Sequence, residues 1–157
     1  MRKTISIPEW QQMAKSDNAP PVRIQLNGNS MYPLVRMNRD YVTIVPLEKT
    51  PSAGDIVLFN NSCIEKYVVH RVWKTKDGMI QTWGDNCPIP DPWLPLDHVL
   101  GKITLIERGK HIIHPEPKKG LCLAKFWHRG GKVYRVGKKY IQAIKRRVIR
   151  ITSRGLQ

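Results

Sequence analysis

Apolar and polar residues alternate along much of the first two-thirds of the chain. The pattern is clear in Val22-Arg23-Ile24-Gln25-Leu26, Tyr41-Val42-Thr43-Ile44-Val45, Asp55-Ile56-Val57-Leu58-Phe59 and Met79-Ile80-Gln81-Thr82-Trp83. These runs are rich in β-branched and aromatic residues and are bounded by Gly, Pro, Asn or Asp, which predicts short strands. Lys66 to Trp73 and Val99 to Glu107 complete the set, and Lys76-Asp77-Gly78 marks a hairpin turn. Ahead of them the period is helical: Ser6-Ile7-Pro8-Glu9 reads as a capped helix start, with a short helix running to Lys15 before Ser16-Asp17-Asn18 and Pro20-Pro21. Four prolines between Pro88 and Pro95 predict an extended loop over residues 86–96. Ile141, Ile144, Val148 and Ile151 return to helical spacing near the end. The expected fold is mainly β, an antiparallel and partly closed sheet, with a short N-terminal helix and a basic C-terminal helical segment.

Charge divides the chain. Residues 1–107 hold 12 Lys/Arg against 11 Asp/Glu, whereas residues 108–157 hold 15 against the single acid Glu116. The resulting division is an N-terminal helix and lead-in over 1–21, a nearly neutral β-domain over 22–109 and a basic extension over 110–157. A basic amphipathic segment suits an anionic membrane surface or an acidic partner, bound through residues 138–154. Nucleic acid is the second-ranked partner, with Trp127, Tyr134 and Tyr140 available for stacking. No apolar run approaches the roughly 20 residues that span a bilayer, and no secretory h-region follows Met1. A cytoplasmic or peripheral-membrane location is expected.

Three cysteines, Cys63, Cys87 and Cys122, lack any Cys-x-x-Cys spacing, which argues for a reducing compartment and against a disulfide framework or a zinc site. Cys87 follows Asp85 by two residues, but no histidine adjoins it in sequence to support a redox or nucleophilic role. His111 and His114 have no companion ligands. Neither a metal nor a cofactor is expected.

The candidate chemistry lies in Gly28-Asn29-Ser30-Met31-Tyr32-Pro33. Gly28 permits an unusual backbone turn and Pro33 restricts Tyr32, so Ser30 can be held exposed on a rigid turn at a strand end. The N–H groups of Ser30 and Met31 are candidate donors to a developing oxyanion, with the side chain of Asn29 or Asn27 as a further donor. Serine needs a base to take its proton. His70 and Lys66 share a strand face, about 13 Å apart at about 3.3 Å per residue, so one of them serves Ser30. His70 is preferred, because imidazole titrates near neutrality whereas Lys66 would need strong burial to lose its proton.

The ordered segments Gly28 to Pro33, Gly54-Asp55-Ile56-Val57-Leu58-Phe59, Val69-His70-Arg71-Val72, Gly84-Asp85-Asn86 and Gly101-Lys102-Ile103 resemble those of the signal peptidase I superfamily, which includes the LexA-like peptidases. The resemblance covers residues 22 to 107. Histidine rather than lysine at position 70 is similar to the Ser-His branch of archaeal and endoplasmic-reticulum enzymes. The resemblance implies a serine endopeptidase that removes a leader or signal peptide, cutting after small residues on a peptide bound as an added strand. It further implies Ser30 as nucleophile, His70 as general base then acid, Asp91 as the residue that orients His70, and Asp85 as support to the site. The chain departs from the family in lacking a transmembrane anchor and in carrying Asn38-Arg39-Asp40 where the family has a glycine. Two other readings stand beside it. One is a LexA-like self-cleaving regulator, although the 21 residues before the β-region have neither room for a DNA-binding domain nor an Ala-Gly or Cys-Gly bond. The other is an inactive β-scaffold whose basic tail binds nucleic acid or membrane.

Overall fold

A computed structural model describes residues 7–14, 19–61, 65–128 and 130. The chain falls into two compact units, Met1–Leu123 and Ala124–Gln157. In the first, helix α1 (Ile7–Ala14) precedes strands β1 (Val22–Gln25), β2 (Asp40–Pro46), β3 (Ile56–Asn61), β4 (Lys66–Lys76), β5 (Met79–Trp83), β6 (Trp93–Pro95), β7 (Val99–Arg108) and β8 (His111–Ile113). A helix, α2, occupies 117–128, and its last residues are the described part of the second unit. The architecture is mainly β, an antiparallel curled sheet with a helix at each end of the sequence. The Ser6 cap, Cys63 and the segment 138–154 lie outside the described residues.

The sheet runs β1-β2-β7-β3-β4-β5-β6, with β8 paired to β7. Both faces of β3 are covered, so its residues Ile56 to Phe59 are all buried. Ile56 and Leu58 join Trp10, Met31, Val35, Ile44 and Val69 in one cluster, while Val57 and Phe59 join Val72, Ile80 and Val99 in another. Period two therefore sends alternate side chains of one strand into two cores. Trp10 of α1 is fully buried and donates its indole N–H to Pro20 O at 2.7 Å. Gly101 makes room for it, since a Cβ there would stand 2.7 Å from the Trp10 ring and 2.5 Å from Val45 O.

Two strands depart from the sequence expectation. Residues 93–95 pair with β5 although they fall within the predicted proline loop. Pro95 is tolerated because β6 is an edge strand that does not need every ladder donor. β8 extends the sheet past residue 109, because Gly109, at φ 60°, and Lys110 form a two-residue turn that brings His111 opposite Arg108. At Asn38 the backbone is also left-handed, φ 59°, a conformation that asparagine adopts more readily than most residues. Asp40 beside it is fully buried and forks to Arg108, whose Nη2 lies 2.7 Å from Oδ2. Among the described residues no helix is long and apolar enough to cross a membrane.

The ladders of β4 set up the site. β3 pairs with it over Lys66–Arg71, and β5 pairs with it only from Arg71 onward. The backbone of Lys66–His70 thus has β3 as its single strand neighbour among the described residues.

Candidate active site

Ser30 sits in the turn that follows β1. Gly28 has φ 113°, a region that L side chains avoid. Tyr32 N–H closes the turn on Asn29 O at 3.1 Å, and Val35 N–H reaches Met31 O at 2.9 Å. Met31 and Val35 are both 2% exposed and root the turn in the core, which leaves Ser30 half-buried above them. The N–H groups of Ser30 and Met31 have no hydrogen-bond partner among the described residues. Asn86 clamps the turn from the other side: its N–H donates to Ser30 O at 2.7 Å and its Nδ2 to Asn29 O at 3.1 Å. The Gly84-Asp85-Asn86 turn is thereby fastened to the serine turn.

His70, on β4, is 6% exposed, and its ring meets Phe59 edge-on with centroids 6.0 Å apart. Its Nδ1 lies 2.6 Å from Asp91 Oδ2. Thr82 Oγ1 donates to that same carboxylate oxygen at 2.6 Å, and the Asp91 N–H bonds Thr82 O at 2.8 Å. Asp91 therefore has fixed backbone and side chain before it meets the imidazole. Burial by itself pulls the His70 pKa down. The Asp91 carboxylate, with Cys87 on the ring's other nitrogen, overrides that effect and lifts it from 6.5 to about 9. Ser30 and His70 line one groove of about 650 Å³, together with Ile24, Leu26, Met31, Lys66 and Val69 among others. No hydrogen bond joins Ser30 to His70 in this arrangement among the described residues.

Asp85 does something different from Asp91. Its carboxylate accepts two parallel bonds from Arg71, at 2.9 Å to Nε and 2.8 Å to Nη2. Arg71 also donates to Gly54 O at 2.9 Å and is 2% exposed. Gly120, in the part of α2 that belongs to the first unit, lies close to Arg71, where a Cβ would come within 2.4 Å of Nη1. Adjacent strand positions point to opposite faces, so His70 meets Asp91 while Arg71 holds the acidic turn. Asp85 thus supports the loop that carries Asn86 and Cys87, with no hydrogen bond to His70.

Sequence reasoning missed the two side chains that flank the Asp91–His70 pair, Thr82 and Cys87. Thr82 reaches Asp91 because β4 and β5 shift register between Val72 and Lys74, which puts Thr82 opposite Val72, on the His70 face. A regular hairpin continued from Lys76↔Met79 would put Thr82 opposite Trp73, on the other face. Cys87, for its part, has Sγ 3.8 Å from His70 Nε2. The turn closes through Cys87 N–H to Gly84 O at 2.9 Å, which folds the thiol back over the imidazole. Gly84 is required there, since a Cβ would lie 2.6 Å from Cys87 Sγ and 2.8 Å from His70 Nε2. Lys66 lines the same groove but is exposed. Among the described residues no cluster of three His, Cys, Asp or Glu side chains is arranged to hold a metal ion. The chain matches no protein-family model and no curated protein.

Proposed function

We propose that the protein is a serine endopeptidase, with Ser30 as nucleophile, His70 as general base and then acid, and Asp91 as the residue that orients His70. The observation that carries this reading is the Thr82–Asp91–His70 hydrogen-bonded chain opening onto the groove that Ser30 also lines. Ser30 Oγ attacks the scissile carbonyl and its proton passes to His70 Nε2. Asp91 keeps the other ring proton on Nδ1 and stabilises the imidazolium as it forms. The Ser30 and Met31 N–H groups face the oxyanion, where one such donor contributes about 10²–10³ in rate. His70 then returns the proton to the leaving amine.

The substrate is an extended peptide. β1 is an edge strand, and Lys66–His70 lack a second strand neighbour among the described residues, so backbone donors and acceptors border the groove on both sides. A peptide added as a strand meets those groups, and its side chains alternate between groove and solvent. Removal of a leader or signal segment after small residues is the reaction that fits, in line with the family resemblance of residues 22–107. Ser30→Ala and His70→Ala should each abolish cleavage of a peptide with small residues before the scissile bond. Undiminished cleavage by either variant would refute the assignment.

A further inference from the structure

The hydrolysis proposed above makes no use of Cys87, yet its thiol is the group that faces His70 Nε2, at 3.8 Å. Four side chains form one line: Thr82 on Asp91, Asp91 on His70 Nδ1, and His70 Nε2 on Cys87. A nucleophile within reach of a base that a third group orients is the arrangement that activates nucleophiles, and a cationic imidazole beside sulfur favours reaction through the anion. The contact is also confined. Gly84 backs onto both the sulfur and Nε2 with no room for a methyl group, so atoms added to the sulfur crowd the imidazole. Cys87 is half-buried, so its sulfur is within reach of a small solute. Cys122 on α2 is more exposed and supplies an internal standard.

We propose that Cys87 is a modification site for small peroxides, and that its oxidation closes the site by occupying the Nε2 side of His70. The second half of the proposal rests on the Ser30–His70 reading; the first does not. In its neutral form His70 takes the thiol proton on Nε2 as the sulfur attacks one oxygen of hydrogen peroxide. The S–O bond forms, the O–O bond breaks, and the departing hydroxide takes the proton back from His70 to leave as water. Sulfur is oxidised by two electrons to the sulfenic acid, and the peroxide is reduced.

The test treats the intact protein with hydrogen peroxide, traps sulfenic acid with dimedone, and follows Cys87 and Cys122 separately by peptide mass mapping. A base in contact with the sulfur assists removal of the thiol proton, so Cys87 should react at least about tenfold faster than Cys122. His70→Gln should remove that advantage and leave the Cys122 rate unchanged, and Asp91→Asn should reduce it if His70→Gln does not fold. Equal rates at the two cysteines, or a Cys87 rate indifferent to both substitutions, would overturn the assignment. Ser30→Ala should leave the Cys87 rate as it is. In the native protein, peroxide should also suppress labelling of Ser30 by a fluorophosphonate in step with Cys87 oxidation. Full Ser30 labelling with Cys87 oxidised would overturn the blocking step. Absence of Ser30 labelling before peroxide, with the Cys87 rates as expected, would count against the peptidase reading alone.

Discussion

The His70–Asp91 pair should leave a mark on stability that does not depend on any substrate. His70 is nearly fully buried and its pKa is raised from 6.5 to about 9. At about 1.4 kcal/mol per pH unit, that rise corresponds to about 3 kcal/mol of folding free energy. A raised pKa means that the folded protein holds the proton more tightly than the unfolded chain. The stabilisation is therefore fully present below pH 6.5 and is lost as pH climbs through about 9. Asp91→Asn removes the carboxylate that sustains the shift, so its cost should be largest in acid. Urea denaturation of native and Asp91→Asn protein at pH 6 and pH 9.5 measures it. The difference between the two should shrink by about 3 kcal/mol from the lower pH to the higher, and groups that titrate equally in both proteins cancel. A difference that is constant with pH, or that grows toward pH 9.5, would refute the coupling of His70 to Asp91.

The same pair sets the pH dependence expected of the proposed cleavage. Only neutral imidazole accepts the Ser30 proton, so kcat/KM should rise about tenfold per pH unit below neutrality and level off near pH 9; a plateau already reached at pH 7 would contradict this. Asp91→Asn should lower kcat by about 10⁴-fold, as loss of the orienting carboxylate does in Ser-His-Asp enzymes, and a loss below tenfold would assign Asp91 to structure alone. Arg71→Met strands the buried Asp85 carboxylate and should cost about 3–5 kcal/mol in urea denaturation; a cost under about 1 kcal/mol would mean that the turn does not depend on the pair. Gly84→Ala pushes a methyl group against Cys87 Sγ and His70 Nε2 and should abolish cleavage at a stability cost of about 1–3 kcal/mol. Retained cleavage would show that this side of the imidazole is open.

Much of the fold was legible because its strands alternate strictly and are punctuated by turn residues. Met79–Trp83 has the same bounds in both readings, and the other five long strands differ only at their ends. β6 and β8 were not legible, since three residues carry no period and each depends on the neighbour it pairs with. In the site, Ser30, His70 and Asp91 were nominated by residue type, order and family resemblance. Thr82 was hidden by the register shift near Trp73, which reverses the face it occupies, and no pattern in the sequence announces such a shift. Cys87 was hidden because its partner is 17 residues away and is reached by a turn whose closure depends on Gly84. Arg71 was read only as part of the His70 segment, although it holds the acidic turn in place.

The central claim is that Ser30 is a nucleophile served by His70. The most direct measurement is site-resolved mass mapping of the reduced protein after exposure to a fluorophosphonate at pH 9, where about half of His70 is neutral. An adduct should form on Ser30, in preference to the other serines of the chain, and should be lost in His70→Ala protein shown to be folded by circular dichroism. No adduct on Ser30 in the native protein, or one that forms equally fast without His70, would contradict it.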